Sequence, residues 1–171
     1  MYRERMETLK EWKVSKTRKP LIIRGARQVG KTWLMKEFGK LYYEKCAYIN
    51  FDDNTRMNKL FDEDFDLDRI IQGLKIESGV NIEPENTLII LDEIQETPNA
   101  LKALKYFYEN ANEYHIVAAG SLLGVAMHQG TSFPVGKVNF MDLMPLSFFE
   151  FLNALGQEHL LNLLKNNEFD M

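Results

Sequence analysis

Along the chain, short unbroken apolar runs alternate with longer stretches in which apolar positions recur every three or four residues. The short runs predict strands at Leu21–Arg24, Cys46–Phe51, Leu88–Leu91, His115–Gly120 and Lys137–Leu143. Leu88–Leu91 is continuously apolar with two β-branched isoleucines, the pattern of a central parallel strand covered on both faces. Helical spacing marks residues 2–18 (Met6, Leu9, Trp12), Trp33–Tyr43 (Leu34, Phe38, Leu41) and Pro98–Asn112 (Leu101, Leu104, Phe107, Tyr108). Pro145–Leu155 opens another helix, with Ser147 as N-cap and Glu150 completing a capping box. From Gly156 a last helix frays into residues 166–171, and 133–136 is a loop. Asn54–Leu74 is polar and acidic, becoming helical near Arg69–Leu74. Five strands alternating with helices predict an α/β fold, a three-layer α/β/α sandwich around a mainly parallel five-stranded sheet.

Composition narrows the class. With 171 residues, 45% of them hydrophobic, the chain suffices for one globular core, and no apolar run reaches the roughly 18 residues of a membrane span. The charged start lacks a signal peptide's apolar stretch, and the single Cys46 cannot form an internal disulfide, so a reducing cytoplasm is expected. Cys46 itself reads as a small buried hydrophobe. The net charge of −4 is uneven: residues 1–19 carry seven Lys/Arg against three Glu, leaving −8 on the remainder. That balance argues against a broad nucleic-acid surface, and the basic N-terminal helix reads as a solvated face. The run Asp62–Asp68 fails as a calcium loop, because Leu67 and Gly73 fall where such a loop needs Gly and Glu. His115 has no His or Cys at ligand spacing, which argues against a metal role.

The stretch that organises the chain is Pro20–Thr32, PLIIRGARQVGKT. A strand leads into Gly25-x-x-x-x-Gly30-Lys31-Thr32 and a helix follows, the context a phosphate-binding loop requires. Gly25 allows a sharp turn off the strand, and Gly30 lets backbone approach phosphate without a Cβ. The loop residues Gly25, Ala26, Arg27, Gln28, Val29, Gly30, Lys31, Thr32 and Trp33 are the candidate nucleotide-binding set. The N–H groups from about Gln28 to Trp33 converge at a helix N-terminus, whose dipole favours an anion. Lys31 adds a positive charge for the β- and γ-phosphates, and the Thr32 hydroxyl suits Mg²⁺.

A second stretch, Thr87–Gln95 (TLIILDEIQ), delivers Asp92 and Glu93 to a strand's C-terminal end, where open α/β sheets bind ligands. Beside a phosphate loop, Asp92 is expected to hold Mg²⁺ and Glu93 to polarise the attacking water. Ser121, at the end of His115–Gly120, is a candidate γ-phosphate sensor or helix N-cap. One strand lies in sequence between the loop strand and the Asp92-Glu93 strand, which predicts the spatial order 5-1-4-3-2. Neither Asp-x-x-Gly after the second site nor Asn-Lys-x-Asp occurs, so ATP is preferred over GTP.

RGARQVGKT, INFDD, TLIILDEIQE, AAGSLLG, SFPVGKV and MPLSFFEFL together resemble the bacterial and archaeal AAA-type ATPases that carry a C-terminal domain of unknown function. The similarity runs from about Lys19 to Leu152. It implies an AAA+-like core with Lys31 and Thr32 as Walker A, Asp92 and Glu93 as Walker B, and Ser121 where a sensor falls. Glu93, Lys31 and Ser121 are then the catalytic set, Thr32 and Asp92 the metal set, and ATP with Mg²⁺ the ligands. Residues 1–19 form an N-terminal helix, 20–155 the ATPase core and 156–171 the start of a lid or linker. The expected activity is Mg²⁺-dependent ATP hydrolysis serving as switch or motor for an attached or partner domain. The alternatives are a nucleotide-dependent binding module with little hydrolysis, a small-molecule kinase, or a nucleic-acid-associated ATPase acting through residues 1–19. A homo-oligomer and a C-terminal or protein partner remain open. Lys137 is a candidate arginine-finger substitute, with an exposed lysine at a strand start the favoured reading.

Overall fold

The computed structural model of the chain describes residues 3–120, 134 and 136–165. In chain order these form α1 (Arg5–Val14), β1 (Leu21–Arg24), α2 (Lys31–Tyr42), β2 (Lys45–Asn50), α3 (Thr55–Glu63), α4 (Leu67–Ser78) and β3 (Thr87–Asp92). A single 3₁₀ turn (Ile94–Glu96), α5 (Pro98–Asn110), β4 (His115–Gly120), β5 (Asn139–Asp142), α6 (Phe148–Ala154) and α7 (Glu158–Lys165) follow. Among the described residues the sheet has five strands in the order β2-β3-β4-β1-β5, with every neighbouring pair parallel. Read from the other edge this is 5-1-4-3-2, as the sequence predicts.

The strands sort their side chains by parity, because successive residues point to opposite faces. Leu21 and Ile23 of β1, Leu88 and Ile90 of β3, and Val117 and Ala119 of β4 pack with Met6, Leu9 and Trp12 of α1 and with Leu34, Met35 and Phe38 of α2. Ile22, Ile89, Leu91, Ile116 and Ala118 join α3, α4 and α5 on the other face. Both central strands, β3 and β4, are buried along their whole length. Covered on two faces, they carry no polar-apolar alternation, which is why they stand out as continuous apolar runs.

The structure departs from sequence expectation in four places. Residues 54–74 form two helices. Asn54 caps α3 by accepting from the Met57 N–H at 3.2 Å, and Asp66 caps α4 by accepting from the Arg69 N–H at 3.1 Å. The acidic run between the helices therefore supplies the α4 cap, and the Arg69 guanidinium ties it at 2.7 Å to Asp64 and at 3.2 Å to Glu63. Arg3 is only 4% exposed and pairs with Glu150, so the basic N-terminal segment is not a solvated face throughout. Cys46 is half-buried, and burial raises its thiol pKa. Helices also begin or end within a few residues of their predicted bounds; α2, for instance, starts at Lys31. His115 is buried, and its Nδ1 shares a 2.7 Å hydrogen bond with the Tyr43 hydroxyl, a core role. Residues 166–171, Phe133 and Val135 lie outside the described residues.

Candidate nucleotide site

The loop between β1 and α2 takes its shape from three backbone positions. Gly25 has φ 157°, and a Cβ there would lie 2.3 Å from the Leu143 carbonyl oxygen, so only glycine lets the chain leave β1 against the end of β5. Gly30 (φ 93°) caps α2, and a Cβ built on it meets no atom within 4 Å, which leaves the loop's inner side open. Gln28, with φ 64°, holds a left-handed conformation uncommon for a non-glycine residue. The first N–H groups of α2 have no partner within the helix, as at any helix start.

Lys31 is 6% exposed, and its ammonium donates to the Gly25 and Ala26 carbonyls at 2.9 and 2.7 Å. Burial lowers its pKa, while the negative charges of Glu93 and Asp92 oppose that shift. The next residue reaches the second motif directly: the Thr32 hydroxyl donates to Asp92 Oδ2 at 2.7 Å. Asp92 is buried and accepts twice more, from the Tyr48 hydroxyl at 3.0 Å on Oδ2 and from the Glu93 N–H at 3.1 Å on Oδ1. Burial, with the Asp92 charge and hydrogen bond, pushes the Tyr48 pKa upward.

Glu93 itself sits at φ 52°, a left-handed turn that separates its direction from that of Asp92. The Gln95 amide donates to Glu93 Oε2 at 2.6 Å, while Gln95 Oε1 is buried without a hydrogen-bond partner among the described residues. A cavity of about 560 Å³ opens over this region. It is lined by Arg27, Gln28 and Gly30 of the loop, Lys31, Thr32 and Trp33 of α2, Asp52 and Glu93 just past the ends of β2 and β3, and Glu96 of the 3₁₀ turn.

The structure thus brings together Lys31, Thr32, Asp92 and Glu93 from two distant stretches. Among the candidates, Val29 is buried in the core, and Gly25 and Ala26 meet Lys31 through their carbonyls. Ser121 lies outside the described residues; its predecessor Gly120 stands in register with Arg24, immediately before the loop. Lys137 lies just before β5, at the other end of the strands, paired with Glu109 at 2.9 Å. Tyr48 and Gln95 were not singled out by sequence. Gln95 sits within the recognised LDEIQ stretch, whereas Tyr48 gives no local signal, since its partner is two residues further along the neighbouring strand.

The donor set fits a polyphosphate and a hard cation. Among the described residues no three His, Cys, Asp or Glu side chains converge on a metal position. The Thr32–Asp92 oxygen pair offers two ligands instead, which suits Mg²⁺, an ion that keeps several waters and binds substrate phosphates. No helix among the described residues is long and apolar enough to cross a membrane.

A parallel sheet in 5-1-4-3-2 order, with a glycine loop after β1 and an acidic pair closing β3, defines the P-loop NTPase class. A family model described as an AAA domain matches residues 17–152, most of the chain, and the chain belongs to that family. No curated protein sequence matches it. Among solved structures it is similar to the Walker-type ATPase PABY2304 of Pyrococcus abyssi, with TM-score 0.58 and 17% identity over 91% of this chain and 58% of that one. It is similar to the Aeropyrum pernix Orc1 protein in complex with DNA (TM-score 0.51, 15% identity, 92% of this chain and 50% of that one). Drosophila ORC bound to DNA is a third such structure, with TM-score 0.57 and 19% identity over 89% and 45% of the two chains. The chain spans about half the length of these proteins, and the likeness is one of fold.

Proposed function

We propose that the chain binds Mg²⁺–ATP and hydrolyses its β–γ phosphoanhydride as the switch or motor step of an attached or partner domain. The observation that carries this reading is the 2.7 Å hydrogen bond from Thr32 to Asp92, which joins the phosphate loop to the acidic strand end beside a 560 Å³ cavity. The family match supports an ATPase core. In the reaction, Glu93 accepts a proton from water as the water oxygen attacks the γ-phosphorus, and the bridging oxygen leaves with ADP. Lys31 and the first N–H groups of α2 hold the phosphates and neutralise charge on the departing oxygen. Thr32 and Asp92 would hold Mg²⁺, which would supply charge neutralisation for the phosphates. We assign Ser121 to sensing the γ-phosphate.

A nucleotide-gated module with slow turnover is the second reading, favoured by the 2.6 Å contact in which Gln95 competes with water for Glu93. Turnover measured with Mg²⁺ across a protein concentration series separates the two. The ATPase reading expects hydrolysis that falls about 10²–10⁴-fold in Glu93→Gln, with ATP still bound, and loss of binding in Lys31→Ala. Turnover in Glu93→Gln at the parent rate overturns the assignment. ATP binding without turnover at any concentration supports the module.

A further inference from the structure

Asp92 Oδ2 receives two hydroxyl groups, not one. The Thr32 bond comes from the phosphate loop, and the Tyr48 bond comes from the neighbouring strand β2. Tyr48 stands in register with Ile90, and Asn50 with Asp92. Tyr48 therefore shares the face of Ile90 and Asp92 and reaches two residues along the sheet to meet the carboxylate. Its ring carries the Lys36 ammonium of α2 at 3.6 Å from the centroid. A cation over the face draws electron density from the ring and strengthens the phenol as a donor. The bond it makes is to a carboxylate, the stronger kind. Tyr48 thus links α2, which begins at the loop, to the carboxylate at the end of β3.

We propose that Tyr48 is a positioning residue for the divalent cation, acting through Asp92; the inference rests on the Mg²⁺–ATP reading above. By donating to the same oxygen of Asp92 as Thr32 but from a different element, Tyr48 holds the carboxylate in a single rotamer. Without its hydroxyl, Asp92 keeps, among the described residues, Thr32 and the Glu93 N–H as hydrogen-bonding restraints and must be ordered when the ion arrives. Partners that orient a metal-ligating carboxylate are worth about 10–100-fold in metal affinity.

The test is calorimetric titration of ATP into the full chain, with Mg²⁺ and with EDTA, for the parent and for Tyr48→Phe. The parent's Mg²⁺-dependent gain in ATP affinity is expected to fall about tenfold in Tyr48→Phe, with affinity in EDTA and melting temperature essentially unchanged. A solely structural tyrosine would move the melting temperature and leave the Mg²⁺ gain alone. Lys36→Met, which keeps the hydroxyl and removes the cation, is expected to lose about two- to threefold of the same gain and guards against misfolding of the first variant. An undiminished Mg²⁺ gain in both variants overturns the inference while leaving the ATPase reading intact. A parent that binds ATP equally with Mg²⁺ and EDTA overturns the Mg²⁺ reading and this inference together.

Discussion

Two buried carboxylates, Glu150 of α6 and Asp92 at the end of β3, differ in what satisfies them. Glu150, 6% exposed, pairs with the Arg3 guanidinium at 3.5 Å and accepts the N–H groups of Glu4 and Ser147 at 2.9 Å each. Asp92, 3% exposed, is met by two hydroxyls and one N–H, and no cation lies within 4 Å of it among the described residues. A buried charge is costly unless paired, so the first arrangement is complete while the second keeps a net negative field. The Glu150 pair closes the structure, fastening the N-terminal segment to α6, with Arg3 also donating to the Met144 carbonyl at 2.8 Å. Asp92 holds its charge behind Thr32, which lines the cavity, and Lys31 is near enough to feel it. The same residue chemistry thus serves stability in one place and, in our reading, cation binding in the other.

Substitution should separate the two. Removing one partner of a buried ion pair leaves an uncompensated charge, so Glu150→Gln is expected to cost about 3–5 kcal/mol in urea denaturation. ATP affinity per folded molecule should not change. For Asp92→Asn the pattern reverses: stability stays within about 1 kcal/mol, and Mg²⁺-dependent turnover falls by at least about 10²-fold. Asp92→Asn destabilised as strongly as Glu150→Gln would erase the distinction between the two carboxylates.

A third buried ionisable group sharpens it. His115 is 5% exposed, and burial, followed by the Arg18 and Lys13 charges, lowers its pKa from 6.5 to about 4. The unfolded chain therefore binds a proton between those values when the folded one does not. Stability contributed by the neutral imidazole is full above pH 6.5 and declines as pH falls toward 4, by about 3 kcal/mol. Thermal melts across that window should show the decline, and His115→Gln should flatten it. The smallest effect belongs to the loop: Gln28→Val, a β-branched side chain at φ 64°, should lower stability by about 1–2 kcal/mol, whereas Gln28→Gly should be nearly neutral.

The sheet was legible because its central strands are buried on both faces and so write themselves as apolar runs. The loop was legible because Gly25 and Gly30 answer backbone demands that few other residues meet. Other features depend on partners far away in sequence. Nothing near Arg3 announces Glu150, 147 positions on, and the basic run around it reads as solvent-exposed. Residues 54–74 hide two helices because α3 buries only Met57 and Phe61, too few apolar positions to show a period. Tyr48 looks like any strand aromatic until β2 and β3 are set in register. Gln95 and the left-handed Glu93 belong to a strand end, where periodicity carries no information.

The most direct test of Asp92 as the cation's anchor is the thermal shift produced by ATP in Mg²⁺ and in EDTA, for the parent and Asp92→Asn. The parent should melt at a distinctly higher temperature with Mg²⁺–ATP than with ATP in EDTA, while in Asp92→Asn the two shifts should coincide. An Asp92→Asn protein that keeps the full Mg²⁺-dependent shift would contradict the account.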